Sequence, residues 1–204
     1  CPPLRGIERE RRPGCSDFNE ALLSHVILSP NVDTVILAAN WTGVLEGTRY
    51  NDETAGQNTV IDVLAGKDAP QQDAEALIKT GLYRTIQALQ ENGRRIILVG
   101  PVPEVGHNVP SVNHIARITD RDVNAMIAPT IEEFENQNTK TNSFLQTVAD
   151  DLGIPVVWPS DILCNDRLCI VALDDGTTLY HDDDHLSTAG ARYISEILDE
   201  PLSN

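Results

Sequence analysis

The sequence predicts a three-layer α/β/α sandwich built on a mostly parallel sheet. Three observations predict it. Short continuous apolar runs at Thr34–Ala39, Arg95–Val99 and Ile154–Trp158 have the pattern of strands buried on both faces. Between them lie segments of about 10 to 20 residues with apolar positions at helical spacing, an alternation that calls for parallel strands joined by crossover helices. At 204 residues, 41% of them hydrophobic, the chain can bury one full-sized core, and no internal repeat marks a second domain. Residues 1–204 therefore read as one domain.

The elements follow in order. Four cysteines fall into two local pairs, Cys1 with Cys15 and Cys164 with Cys169, each enclosing a short polar loop. Three connectivities are possible, and the two local bonds are the expected one, which places the protein in an oxidising compartment. Neither pair has CxxC spacing, so a zinc or thioredoxin-like reading is weak. Phe18 to Leu28 has helical spacing through Phe18, Leu22, Leu23 and Val26, and Pro30 ends it. After the first apolar run, residues 42–69 are polar and rich in Gly, Asn and Asp, which predicts a long surface loop or flap. Pro70 opens an amphipathic helix with Ala74, Leu77, Ile78, Leu82, Ile86 and Leu89 on one face and Gly93 at its end. A second long helix is expected over about Thr130 to Leu152, closed by Gly153. The last helix covers Ala189 to Leu198, with Ser187 or Thr188 as N-cap.

Charge and length exclude some functions. Lys and Arg number 15 against 31 Asp and Glu, a net charge of −16, which argues against nucleic acid or anionic lipid as a partner. No apolar run reaches the roughly 20 residues of a membrane helix. The chain begins at Cys1 and its one methionine is Met126, so position 1 is not expected to be a translation start. A signal peptide, a larger N-terminal region, or both are expected upstream. A lipid-bearing Cys1 is a narrow alternative.

Sites in parallel α/β sheets form at the C-terminal ends of strands, which points to Asn40-Trp41, to Pro101-Val102-Pro103-Glu104 and to the loops leading to His185. Asp182 and His185 stand three apart ahead of the final helix. A carboxylate there can hold the imidazole Nδ1–H while Nε2 serves as general base, because such a base must keep one tautomer and tolerate becoming imidazolium. Asn40 ends the first apolar run, where a side-chain amide can donate to a developing oxyanion, an effect worth about 3 to 4 kcal/mol per donor. A plain loop-capping Asn is the alternative. Asn40-Trp41-Thr42 also fits a glycosylation sequon, poorly placed at a buried strand end.

Together these residues resemble the SGNH/GDSL hydrolase superfamily, and more closely the periplasmic SGNH domain fused to acyltransferase-3 family O-acetyltransferases. The blocks that carry the resemblance are Cys1-Pro2-Pro3-Leu4, Val35 to Trp41, Val99 to Glu104, Pro159 to Cys164, and Leu179 to Ser187. The resemblance implies an SGNH/flavodoxin-like sheet, Asp182 and His185 as catalytic pair, and Asn40 as oxyanion-hole residue. It also implies acyl transfer to bacterial cell-surface polysaccharide, with an acyl donor and a carbohydrate acceptor as substrates and no cofactor or metal. A membrane acyltransferase-3 domain in the same protein is the implied partner, and a periplasmic location tethered to the inner membrane the implied setting. Two departures stand out. The usual Gly-x-Asn-Asp block reads Ala38-Ala39-Asn40-Trp41, and no Gly-Asp-Ser nucleophile block occurs in the 204 residues. The first strand and its serine are therefore expected upstream, and the 204 residues alone are expected to be inactive and unstable.

Three other readings stay open at this stage: an SGNH esterase or deacetylase; a carbohydrate-binding remnant without a nucleophile; and a divalent metal site on the alternating His181, Asp183 and His185, with Asp182 and Asp184 adding charge.

Overall fold

The computed structural model describes residues 1–10, 12–47, 49–50, 59–65 and 73–203. The chain runs through β1 (Ile7–Arg9), α1 (Cys15–Leu28), β2 (Thr34–Leu37), α2 (Trp41–Leu45), β3 (Val60–Asp62), α3 (Ala74–Glu91) and β4 (Arg95–Val99). It continues with α4 (Val109–Ile118), α5 (Val123–Ile127), α6 (Ile131–Leu152), β5 (Val156–Val157), α7 (Ser160–Leu163) and α8 (Thr188–Tyr193), then a 3-10 turn at Ser195–Leu198 and α9 (Asp199–Ser203). Strands β2, β4 and β5 form a parallel sheet in that order, with Ile36 beside Ile97 and Val99 beside Val157. This is the mixed α/β architecture with a parallel sheet that the alternating pattern called for.

Side chains alternate across a strand, so the register assigns each apolar residue to a face. Leu37, Ile96 and Leu98, with Val35 and Val156, pack onto α1, α3 and α6 in the main core. Ile36, Ile97 and Val157 point the other way, toward the C-terminal segment, where Ile97, Val157, Trp158, Ile197 and Pro201 line a common cavity. The expectation of strands buried on both faces holds for β4, whose Ile96, Ile97 and Leu98 are all buried. It fails for β2, where Ile36 is 43% exposed, because β2 is an outer strand among the described residues.

Local signals explain the helices that frame the site. In α3, Ile78, Leu82, Ile86 and Leu89 recur at helical spacing and are buried, with Asp73 as N-cap accepting from the Ala76 N–H. In α6, Thr130 and Glu133 form a capping box, and Gly153 ends the helix in the left-handed region at φ 62°. The predicted stripe of α1 is only partly buried: Leu23 is inside, but Phe18 and Leu22 are half exposed and Cys15, Ser16 and Asn19 take the inner positions. The cause is the N-terminal strap. Cys15 is bonded to Cys1, and the Asn19 amide donates to the carbonyls of Pro2 and Leu4, turning that face of the helix inward.

Other departures from the sequence reading have similarly local causes. The stretch 42–69 opens with the buried helix α2 and contains β3, which pairs antiparallel with β1; residues 48, 51–58 and 66–72, and with them Pro70, lie outside the described residues. Helix α4 carries a short apolar stripe (Val109, Val112, Ala116) over ten residues and α5 is only five residues long; they start from the caps Asn108 and Asp122. Strand β5 is shorter than the apolar run around it, and the last helix breaks after Tyr193 into the 3-10 turn and α9. A second disulfide joins Cys164 to Cys169. Among the described residues no helix is long and apolar enough to cross a membrane.

Candidate active site

Three chain segments meet at the C-terminal ends of β2 and β4. The first is Asn40, whose side-chain oxygen accepts the Gly43 N–H at 2.7 Å and so caps α2. The helix it starts is held firmly. Trp41 is fully buried and its indole N–H donates to the Val99 carbonyl at the end of β4, 2.8 Å away. Thr42 donates to the Asn138 side-chain oxygen on α6 at 2.6 Å, and the Asn138 amide donates to the Phe134 carbonyl. Trp41 thereby pins the cap residue next to it to the end of the neighbouring strand.

The second segment leaves β4 at Gly100. A Cβ there would lie 2.2 Å from the Trp158 ring, so only glycine lets the strand end pass beneath it. The chain then reaches Glu104, which is buried and accepts three hydrogen bonds: from the Asn40 amide (3.0 Å), the Tyr50 backbone N–H (2.7 Å) and the Gln137 amide (3.0 Å).

The third segment carries Asp182 and His185. The Asp182 Oδ1 accepts the backbone N–H of Asp184 (3.0 Å) and of His185 (2.8 Å), a turn closed by its own side chain. The turn sits on a second apolar cluster in which Leu179 and Tyr180 are fully buried with Val105, Val109 and Leu163. The Tyr180 hydroxyl donates to the Pro103 carbonyl, and burial pushes its pKa up. The backbone N–H groups of Val105 and Val109 donate to the carbonyls of Asp183 and Asp182, tying this loop to the one after β4. Ser187 closes the segment: it caps α8 through the Gly190 N–H and donates to the Thr178 carbonyl. Gly190 is obligatory there, since a Cβ would sit 1.9 Å from the Leu179 carbonyl oxygen.

The imidazole of His185 is held at Nδ1. Asp182 approaches it at 3.0 Å (Oδ2) and 3.2 Å (Oδ1), and Asp184 Oδ1 at 2.8 Å. Burial works against ionisation of Asp182, but the N–H groups of Asp184 and His185 and the imidazole outweigh it and hold the carboxyl down to about 2. Burial raises the Asp184 pKa, opposed by Arg49, whose guanidinium lies 2.6 Å from Asp184 and 3.5 Å from Asp183. The His185 ring is 73% exposed, and among the described residues its Nε2 has no hydrogen-bond partner. His185, Asp184, Asn40, Gly100 and Glu104 line one cavity of about 400 Å³.

The residues singled out in the sequence thus fall into place unevenly. Asp182 contacts His185, and Asn40 faces the same cavity. The three groups close enough to share a divalent ion are Asp182, Asp184 and His185, so His181 and Asp183 do not complete the alternating cluster considered from the sequence. Each of those carboxylates already has a partner on one oxygen, the backbone N–H groups on Asp182 Oδ1 and Arg49 on Asp184 Oδ2. Sequence reasoning did not single out Asp184, Arg49 or Gln137. It touched Glu104 only through the strand-end rule. Among the described residues no serine hydroxyl bonds His185; the nearby Ser187 is committed to its cap.

Residues 1–200 match the model of a protein family described as "SGNH domain (fused to AT3 domains)". No curated protein matches the chain in sequence. Among solved structures, the periplasmic domain of a lipopolysaccharide acetyltransferase from Salmonella ser. Paratyphi A is similar over 100% of this chain and 69% of that one. The TM-score is 0.64 at 17% identity, a likeness of fold.

Proposed function

Because the chain belongs to the family of SGNH domains found fused to AT3 domains, we propose that residues 1–204 form one catalytic domain for serine-type acyl transfer. The observation that carries this is His185: Nδ1 is held by a carboxylate that stays ionised, while Nε2, without a hydrogen-bond partner among the described residues, belongs to a ring lining the same cavity as the Asn40 amide. That is the arrangement a base and an oxyanion donor need.

The nucleophile in this reading is the Gly-Asp-Ser serine of the family, on a strand that pairs with the outer edge of β2. The partial exposure of Ile36 on that strand supports the placement. The serine Oγ attacks the acyl carbonyl as its proton passes to His185 Nε2. The oxyanion takes a hydrogen bond from Asn40, and the imidazolium, stabilised by Asp182, returns the proton to the leaving group. A hydroxyl then attacks the acyl-serine with His185 again as base, which regenerates the serine.

The chemistry of the Salmonella protein supports acetyl as the group, a bacterial cell-surface polysaccharide as acceptor, and the periplasm as the place of reaction. A membrane AT3 domain supplies the donor side and tethers the domain to the inner membrane. The exposure of His185 also favours a second reading, hydrolysis of carbohydrate esters, because water reaches the base.

The test uses a form of the protein that carries the Gly-Asp-Ser segment, with 4-nitrophenyl acetate as acyl donor. His185→Ala should lower kcat/KM by about 10³-fold or more. A loss below tenfold would sink the assignment, and absence of turnover in the unsubstituted protein would leave the binding-remnant reading. Adding a sugar acceptor separates transfer from hydrolysis: transfer yields acetylated sugar at the expense of free acetate.

A further inference from the structure

Glu104 is buried, and among the described residues its three hydrogen-bond partners are all donors. Charge–dipole pairing of this kind is what a buried carboxylate requires, since an uncompensated one is costly. Among the described residues no Lys, Arg or His lies within ion-pair distance of it, and the compensating cation is Arg49, which acts on it only through space. Its donors come from three separate parts of the chain, Asn40 after β2, Tyr50 beyond α2, and Gln137 on α6. A carboxylate held from α6 is therefore aimed at the side chain of Asn40.

The geometry fixes the Asn40 amide completely. Its oxygen accepts the Gly43 N–H, and one Nδ2–H goes to Glu104. Turning the amide over would set its oxygen against the carboxylate and its NH₂ against the Gly43 N–H, losing both bonds. One N–H remains for the cavity. We propose that Glu104 is the positioning residue that locks the Asn40 amide with its second N–H directed to the oxyanion of the acyl-transfer reaction. This rests on the reading of Asn40 given above. Glu104 does not touch the reacting atoms. Its negative charge near the oxyanion is unfavourable in itself, so its contribution lies in the orientation it imposes and not in the field it adds.

The test is a double-mutant cycle on Asn40 and Glu104 in the serine-bearing protein, with 4-nitrophenyl acetate and thermal melting of every variant. Asn40→Ala should lower kcat by about 10²-fold or more. Glu104→Ala should lower kcat by about tenfold or more with KM within about twofold, since a misaimed donor fails in the transition state. Glu104→Gln keeps one acceptor for Asn40 and should recover a measurable part of that loss. In the Asn40→Ala background, removing Glu104 should cost less than about twofold, because there is no amide left to aim. Should Glu104→Ala fail to fold, the cycle is run with Glu104→Gln. Equal losses in both backgrounds would overturn the proposal while leaving Asn40 as oxyanion donor. A full-rate Asn40→Ala enzyme would overturn both.

Discussion

The contact most open to a quantitative test is the one between His185 and its two carboxylates. Nδ1 is hydrogen-bonded to Asp182 at 3.0 Å, and Asp184 Oδ1 stands 2.8 Å away at ion-pair distance without hydrogen-bond geometry. In Asp182→Asn, the side-chain oxygen keeps the backbone N–H groups of Asp184 and His185, which leaves the new NH₂ facing the imidazole. Where one carboxylate alone sets the tautomer, this exchange costs about 10⁴-fold in kcat, because the base nitrogen acquires the proton it should accept. Here Asp184 Oδ1 stands close enough to Nδ1 to take over the Nδ1–H by a small side-chain adjustment. The single variant should therefore lose about 10- to 100-fold, or up to about 2.7 kcal/mol of transition-state stabilisation. Asp184→Asn should lose less than about tenfold, since the better-anchored Asp182 remains, and the double variant should fall by about 10⁴-fold. The assay is kcat on an acetyl ester in the serine-bearing protein, with melting curves to show that each variant folds. A full 10⁴-fold loss in Asp182→Asn, with no further loss on adding Asp184→Asn, would refute the shared-proton reasoning.

Other expectations follow from the same geometry. The Asp182 carboxyl sits at about 2 in the folded protein against about 3.9 unfolded, so its stabilising contribution is present above about pH 4 and is lost as pH falls toward 2. With the side chain one-third exposed, the effect is on the order of 1 kcal/mol, and denaturant midpoints of Asp182→Asn should show a shallower acid limb than the native protein. Asp184, with its pKa raised, works in the opposite direction in that range. Gly190→Ala should destabilise by about 3 kcal/mol or more, since the Leu179 carbonyl cannot yield 1.9 Å of space to a methyl group; an unchanged melting temperature would contradict this. Elemental analysis of the purified protein should find no stoichiometric zinc or manganese, and finding either would move Asp182, Asp184 and His185 to a metal site.

How much of this was legible in the sequence depended on the distance between partners. Arg95–Val99 was readable because an inner strand of a parallel sheet has no polar face, and Ile96, Ile97 and Leu98 are buried together. The same argument misjudged Ile36, because burial of the second face depends on what pairs with the strand and not on its own composition. Asp182 and His185 were readable because three residues separate them. Glu104 was not: its donors lie at positions 40, 50 and 137, and nothing local to Glu104 distinguishes it from a turn residue. Asp184 is not distinguishable from its acidic neighbours, since sequence gives no sign that Arg49 draws one of them inward. Helices α4 and α5 escaped notice for a simpler reason. They are short, and their caps look like loop residues until the helix behind them is seen.

The claim at the centre is that His185 is the base that delivers an acyl group to serine. Intact mass of the serine-bearing protein, sampled within the first turnover after mixing with an acetyl donor, reads that step without the later ones. The native protein should gain one acetyl group on the Gly-Asp-Ser serine, and His185→Ala should gain none on the same timescale. Acetylation of the His185→Ala protein at the native rate would contradict the account.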